Sequence, residues 1–202
     1  MRRTKEEAEK TKQKIMLAAL AIFNKKGYAN TTYTDIAKAA DVTRGAIYHH
    51  FFCKSDILKE IAIHHKDNIN QIIEKRINQN CDSPKQTFNN VIKILLEKLS
   101  NDAFFRDFEE LKLKTNLTGE LVHLKSFFDK EFQVGVKHLH EYLRRCQKVG
   151  TLRKDININA YSIAIAAGIT GVLELYTRYN DYLDIEKNLP EVCEYLLYDS
   201  NK

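Results

Sequence analysis

Glycine and proline are scarce in this chain, seven and two in 202 residues. Together they make about 4% of the composition, against roughly 12% in average usage. Sandwiches and barrels need such residues at many turns, and disordered chains are rich in them, so these classes are excluded. Cysteine is also sparse: Cys53, Cys81, Cys146 and Cys193 lie 28, 65 and 47 residues apart, with no CxxC or CxH spacing. That excludes a disulfide framework and a structural zinc site, and fits a reducing cytoplasm. No apolar run reaches the 18 or so residues of a membrane span; the longest, residues 160–176, is interrupted by Ser162, Thr170 and Glu174. Ile15 to Phe23 resembles the apolar part of a signal peptide, but Glu6, Glu7 and Glu9 precede it, and no small-residue cleavage pattern follows. The expectation is a cytoplasmic protein with no membrane contact.

What is present is helix-forming. Hydrophobic residues make up 44% of the chain, with Lys, Glu, Leu, Ile and Ala abundant. A chain of this length buries roughly 70% of its unfolded surface, enough for a sizeable core. The charge is uneven. Residues 1–54 hold eleven Lys/Arg against five Asp/Glu, whereas the remaining residues hold 21 against 22. A basic first quarter joined to a near-neutral remainder points to a polyanion at one end and a different task at the other.

Helical periodicity runs from Thr4 through Ile15, Ala18, Ala19, Ile22 and Phe23, and Gly27 supplies the stop after Lys25 and Lys26. Thr31, Thr32 and Thr34 offer N-caps for a two-turn helix over residues 35–40. Asp41 tolerates the left-handed backbone of a tight turn, and Thr43 caps a third short helix, 44–50. Three helices with a tight turn between the second and third form a candidate helix-turn-helix. Further helices are predicted from Ser55 to about Gln79, from Pro84 to about Ser100, and over 102–115, 118–149 and 157–182. A last one starts around Pro190 or slightly earlier, nine in all.

Reading duplex DNA needs a slim helix, small residues at its N-terminus, and donors for bases and phosphates. Residues 42–51 (VTRGAIYHHF) meet each need. Thr43 caps and can donate to phosphate, Arg44 can fork onto guanine or bind phosphate, and Gly45 with Ala46 permits close backbone approach. Tyr48 and His49 follow one turn later, while Val42, Ile47 and Phe51 form the inward face. His50 reads as packed within the head.

Residues 11–61, and most sharply the run Thr34 to Phe51, resemble the DNA-binding head of TetR-family transcriptional regulators. The Arg3-Thr4-Lys5 start, the Thr43 to Tyr48 run and Lys54-Ser55-Asp56 are together most similar to the AcrR-type regulators of multidrug efflux. The resemblance implies DNA contacts by Thr43, Arg44, Gly45, Tyr48 and His49, with Thr32 or Thr34 and Lys54 holding flanking phosphates. Two positions depart from it. Asp41 replaces the usual turn glycine and brings a negative charge towards DNA, and Phe52-Cys53 replaces a polar pair before Lys54.

Catalytic constellations are missing. His64-His65 and His138/His140 diverge on a helix and cannot chelate one metal as pairs. No glycine-rich phosphate loop, nucleophile elbow or HExxH occurs, and Glu109-Glu110 and Glu120 read as a solvated face. Neither an enzyme, a metal nor a cofactor is expected. In the second part of the chain, the stripe Ala160, Ala164, Ala167, Gly168 and Gly171 allows close helix approach. The family resemblance implies that the last two long helices build a homodimer, and the stripe is read as part of that interface. The resemblance also implies a cavity among central helices. It is expected where Ala62, His65, Lys66 and Ile69 face Phe104, Phe108, Leu111 and Phe128, taking a small lipophilic effector.

The combined expectation is an all-α chain with a helix-turn-helix DNA-binding domain (1–54) and a ligand-binding and dimerisation domain (55–202). It would act as a ligand-released repressor of an efflux or related operon, on palindromic double-stranded DNA. An activator of the same family, or a helical ligand-binding protein or enzyme with a vestigial head, is the alternative.

Overall fold

The computed structural model describes residues 5–77 and 83–196. Arg2, Arg3, Thr4 and Cys81 lie outside the described residues. Within the described residues the chain forms nine α-helices and one 3-10 turn, with no strand: α1 (Lys5–Lys26), α2 (Tyr33–Ala39), α3 (Arg44–His50), α4 (Lys54–Ile77), α5 (Pro84–Asn101), α6 (Ala103–Lys114), the 3-10 turn Gly119–Leu121, α7 (Val122–Val149), α8 (Ile158–Leu183) and α9 (Ile185–Leu196). The all-α expectation holds, and the boundaries fall where capping chemistry puts them. Gly27, at φ 80°, closes α1 with its N–H on the Phe23 carbonyl. Asp102 and Asn157 cap α6 and α8 through their side chains. α2 and α7 begin at Tyr33 and Val122 rather than at 35 and 118, and two further starts differ from expectation. Ser55 lies inside α4, whose first turn is instead closed by Asp56 accepting from the Cys53 N–H at 3.2 Å. α9 begins five residues before Pro190, directly after Asp184, whose left-handed backbone (φ 46°) ends α8.

Packing groups residues 1–67 with 102–125, and residues 68–101 with 126–202. In the first unit, α1 buries Ile15, Met16, Ala19, Leu20 and Phe23, the face its periodicity defines, and packs chiefly on α6 and α2. Ile36, Ile47, Phe51, Ile57, Ile61, Phe105 and Leu111 complete a core in which each buried side chain contributes about 1.5–3 kcal/mol. Polar ties reinforce it: Asn24 Nδ2 donates to the Asp107 carbonyl at 2.7 Å, and Lys12 Nζ meets Glu60 Oε2 at 2.6 Å.

In the second unit, Phe88, Leu139, Tyr142, Leu143, Cys146, Leu152, Tyr161 and Ile165 form one cluster. Tyr142 satisfies its buried hydroxyl by donating to Thr87 Oγ1 at 2.8 Å. The turn after α7 passes through Gly150 (φ 85°), and Gln147 Nε2 holds it by donating to the Arg153 and Ile156 carbonyls, both at 2.9 Å. α8 buries Tyr161, Ser162, Ile165, Val172 and Leu173, and leaves Ile163, Leu175, Tyr179 and Tyr182 exposed. Among the described residues, its segment 158–180 is the one stretch long and apolar enough to cross a membrane.

Candidate nucleic-acid interface

The first unit presents α3 on a scaffold built by α1 and α2. Thr43 caps α3 through Oγ1, accepting from the Ala46 N–H at 3.2 Å, and the α2–α3 turn runs through Asp41 at φ 49°. That is the left-handed backbone expected of this aspartate. Its charge is opposed by Lys14, whose Nζ lies 3.5 Å from Asp41 Oδ2. Ile47 and Phe51 point into the core, so Thr43, Arg44, Gly45, Tyr48 and His49 are all left on the exposed side. His50 is half-buried, edge-on to His49 and close to Phe51.

The exposed groups support one another. Arg44 Nη2 donates to Tyr48 Oη at 3.3 Å, and the Tyr48 ring rests on Tyr33 of α2, centroids 4.9 Å apart. Tyr33 is a supporting residue that motif reading missed; its only local signal is an aromatic at the first position of α2. Gly45 is not demanded by the head's own packing, since a methyl group there would meet only Thr43 Oγ1, at 3.8 Å.

The two threonine candidates separate. Thr32 is the cap of α2: its Oγ1 accepts from the Asp35 N–H and donates to Asp35 Oδ2 at 2.8 Å, while its own N–H donates to the same oxygen. Both threonines are exposed, but the hydroxyl proton of Thr32 is committed within the chain, to Asp35. Asp35 is held down to about 2 by its hydrogen bond from Lys26, helped by the donors of Thr32. The charge of Asp35 is thus met inside the head.

Lys54 is also engaged within the unit. Its Nζ donates to the carbonyls of Tyr28, Ala29 and Thr31 at 2.8, 3.4 and 3.2 Å, lies 4.3 Å from the Tyr28 ring centroid, and sits 3.6 Å from Glu120 Oε1. It clamps the loop between α1 and α2. Burial, with the nearby Glu120 carboxylate, raises the Tyr28 phenol above its ordinary range.

The residues expected to line an effector site fall in both units. Ala62, His65, Phe108 and Leu111 are buried in the first, with Phe104 and Lys66 half-buried; Ile69 and Phe128 belong to the second and are half-buried there. His65 is stacked between Phe105 and Phe108, each 4.4 Å away, and its Nε2 lies 2.7 Å from Glu109 Oε1. The solvated face predicted for Glu109 is thus corrected. Its carboxylate is buried because His65 and Lys112 Nζ, 2.6 Å from Oε2, supply the partners that burial demands. Burial raises its pKa, but these two partners outweigh that and hold it below the usual value. Glu110 and Glu174 pair with Lys114 and Arg178 four residues on. The second unit holds a cleft of about 390 Å³ bordered by Asn70, Ile73, Glu74, Gly135, His138, Glu141 and Arg145. The dimer-stripe residues Ala160, Ala164 and Ala167 are exposed on α8, with Gly168 and Gly171 half-buried.

Residues 15–61, which carry this geometry, match the model of bacterial regulatory proteins of the tetR family. The whole chain is similar to the HTH-type transcriptional regulator AcrR of Shigella flexneri, 27% identical over 197 residues, 97% of this chain and 92% of that protein. Residues 15–61 thus form a DNA-binding head of the tetR family. The fold of the chain is shared with NalD of Pseudomonas aeruginosa, described as the secondary repressor of a multidrug efflux pump (TM-score 0.79, 24% identity, 95% of this chain and 96% of that one). It is also similar to SmeT of Stenotrophomonas maltophilia, in a structure described as its triclosan complex (TM-score 0.80, 25% identity, 94% and 92% covered). The chain is a DNA-binding transcriptional regulator, similar to those of the AcrR type.

Proposed function

We propose that this regulator is a ligand-released repressor of an efflux or related operon, acting in the cytoplasm as a homodimer on a palindromic operator. The observation that carries the reading is α3: a capped, seven-residue helix whose exposed residues are a hydroxyl, a guanidinium, a glycine, a phenol and an imidazole. Thr43, Tyr48, His49 and Thr34 hold phosphates, Arg44 forks onto a base, and Gly45 lets the backbone approach. Lys54 serves the interface by fixing the loop between α1 and α2. Residues 1–54 carry DNA binding and 55–202 carry effector binding and dimerisation, with 102–125 packed on the DNA-binding helices as the mechanical extension of the head.

Dimerisation is supported by α8. Its stripe Ala160, Ala164, Ala167, Gly168 and Gly171, with Ile163, Leu175, Tyr179 and Tyr182 beside it, is too apolar and too open to be stable in water alone. A second subunit covers it and places two recognition helices one helical turn apart. A lipophilic effector of drug size is taken up by the helical body and favours a dimer whose heads no longer match the half-sites. The triclosan-bound relative supports that ligand class.

Selection from a random duplex pool at low salt tests the reading. Enrichment of a palindrome is expected, and Arg44→Ala should lower its binding by about 1–3 kcal/mol. Recovery of no common sequence would remove the regulator reading. Thermal-shift screening against efflux substrates, bile salts, fatty acids and dyes identifies the effector class.

A further inference from the structure

Phe52 is the most exposed large hydrophobic side chain described in this chain, 92% open. It is nevertheless held on a defined backbone. On one side the Phe51 N–H donates to the Ile47 carbonyl at 2.9 Å and the Phe51 ring is buried; on the other the Cys53 N–H donates to Asp56 Oδ2 at 3.2 Å. Phe51 is extended (φ −137°, ψ 128°), so successive side chains alternate in direction. Burying Phe51 therefore turns Phe52 outward.

The position matters because of what precedes it. A recognition helix meets base edges with its N-terminal residues, which leaves its C-terminal end and the following loop against the wall of the groove. Phe52 follows Tyr48 and His49, the exposed residues of that end, and so continues the surface assigned above to DNA. What duplex DNA offers an apolar ring there is the carbon face of deoxyribose and the 5-methyl of thymine.

We propose that Phe52 packs on this sugar and thymine-methyl surface at the outer edge of each half-site, adding an apolar contact to an interface otherwise built from polar and charged groups. The inference rests on the reading of the head as DNA-binding. It differs in kind from the phosphate contacts: it strengthens binding through burial, without releasing counterions.

The chain has no tryptophan, so Phe52→Trp introduces a single indole emitter at the site. On titration with the selected operator, followed independently by anisotropy of a labelled duplex, the emission of this indole should change and its quenching by acrylamide should fall. Phe52→Ala should weaken operator binding by about tenfold at every salt concentration, with the slope of log affinity on log salt unchanged. Replacing half-site thymines by uracil separates the two partners: a loss of affinity in the wild type that is absent from Phe52→Ala assigns the methyl, and equal behaviour of both assigns the sugar. Normal operator binding by Phe52→Trp with its indole still fully quenchable, or by Phe52→Ala at wild-type strength, would overturn the inference and leave the head's function standing. So would a Phe52→Ala change seen in self-association alone, which would make the occupant a second copy. Failure of the wild type to bind any duplex would overturn both.

Discussion

Gly45 and Lys54 show how one residue can be read from its surroundings. Space around Gly45 is open, so Gly45→Ala should leave the fold intact and raise helix stability by up to about 1 kcal/mol, because alanine loses less backbone entropy in a helix. Operator affinity should fall in the same variant, since the added methyl projects from the surface that approaches the duplex. A variant both more stable by thermal melt and unimpaired in binding would show that the backbone is not pressed against DNA. Lys54→Ala should behave in the opposite way. Three carbonyls lose their donor, and denaturant titration should show a loss of about 1–3 kcal/mol. If stability stays unchanged while the salt dependence of DNA binding flattens, Lys54 works on phosphate and the clamp is incidental.

At the scale of elements, the link between α4 and α6 is chemically the most demanding contact in the first unit. Burial pushes the His65 imidazole below its ordinary pKa, and the hydrogen bond and charge of Glu109 only partly restore it. Lys112 works against protonation, and Asp102 weakly favours it. The Glu109 carboxylate already has Lys112 as its cation, and the second imidazole nitrogen, Nδ1, has no hydrogen-bond partner. A proton added there would leave a buried N–H without an acceptor. His65 is accordingly neutral, donating from Nε2.

Because its folded value lies below the unfolded one, the unfolded chain takes up the proton first. Stability should therefore fall as pH drops below about 6.5, the ordinary imidazole value. Glu109, also depressed, adds to the loss only at lower pH, as it falls through the carboxylate range towards its folded value. His65→Gln keeps a donor for Glu109 and removes the titration, so its melting temperature should drop less than that of the wild type when the pH is lowered through the ordinary imidazole range. Equal drops would place the acid sensitivity elsewhere.

For the whole molecule the deciding question is what covers α8. Inside one subunit nothing crowds Gly171: a methyl group there meets no atom within 4 Å. Gly171→Arg should thus spare the subunit's helicity while inserting a charge into the proposed interface. Sedimentation should find a dimer for the wild type and a monomer for the variant, and tight operator binding should be lost, since one head offers only about half of the contacts. A wild type that sediments as a monomer at micromolar concentration would defeat the dimer, and recovery in the membrane fraction would mean that lipid covers α8.

Much of this protein is determined by local chemistry and so is legible in the sequence. Gly27, Thr43, Asp41, Asp102 and Asn157 punctuate the helices because their backbone and capping preferences act over three or four residues. The DNA-binding run from Thr34 to Phe51 is readable for the same reason: turn, cap and inward face are neighbours in the chain. Tertiary structure decided what depends on distant partners. Glu109 looks like a solvated carboxylate among lysines until His65, 44 residues earlier, is brought to 2.7 Å. Lys54 looks like a free cation until the loop after α1 folds over it, and Thr32 and Thr34 are equivalent hydroxyls until Asp35 claims one of them. That residues 102–125 pack on α1 is likewise invisible locally, because apolar faces of similar period fit many partners and only the closed core selects among them.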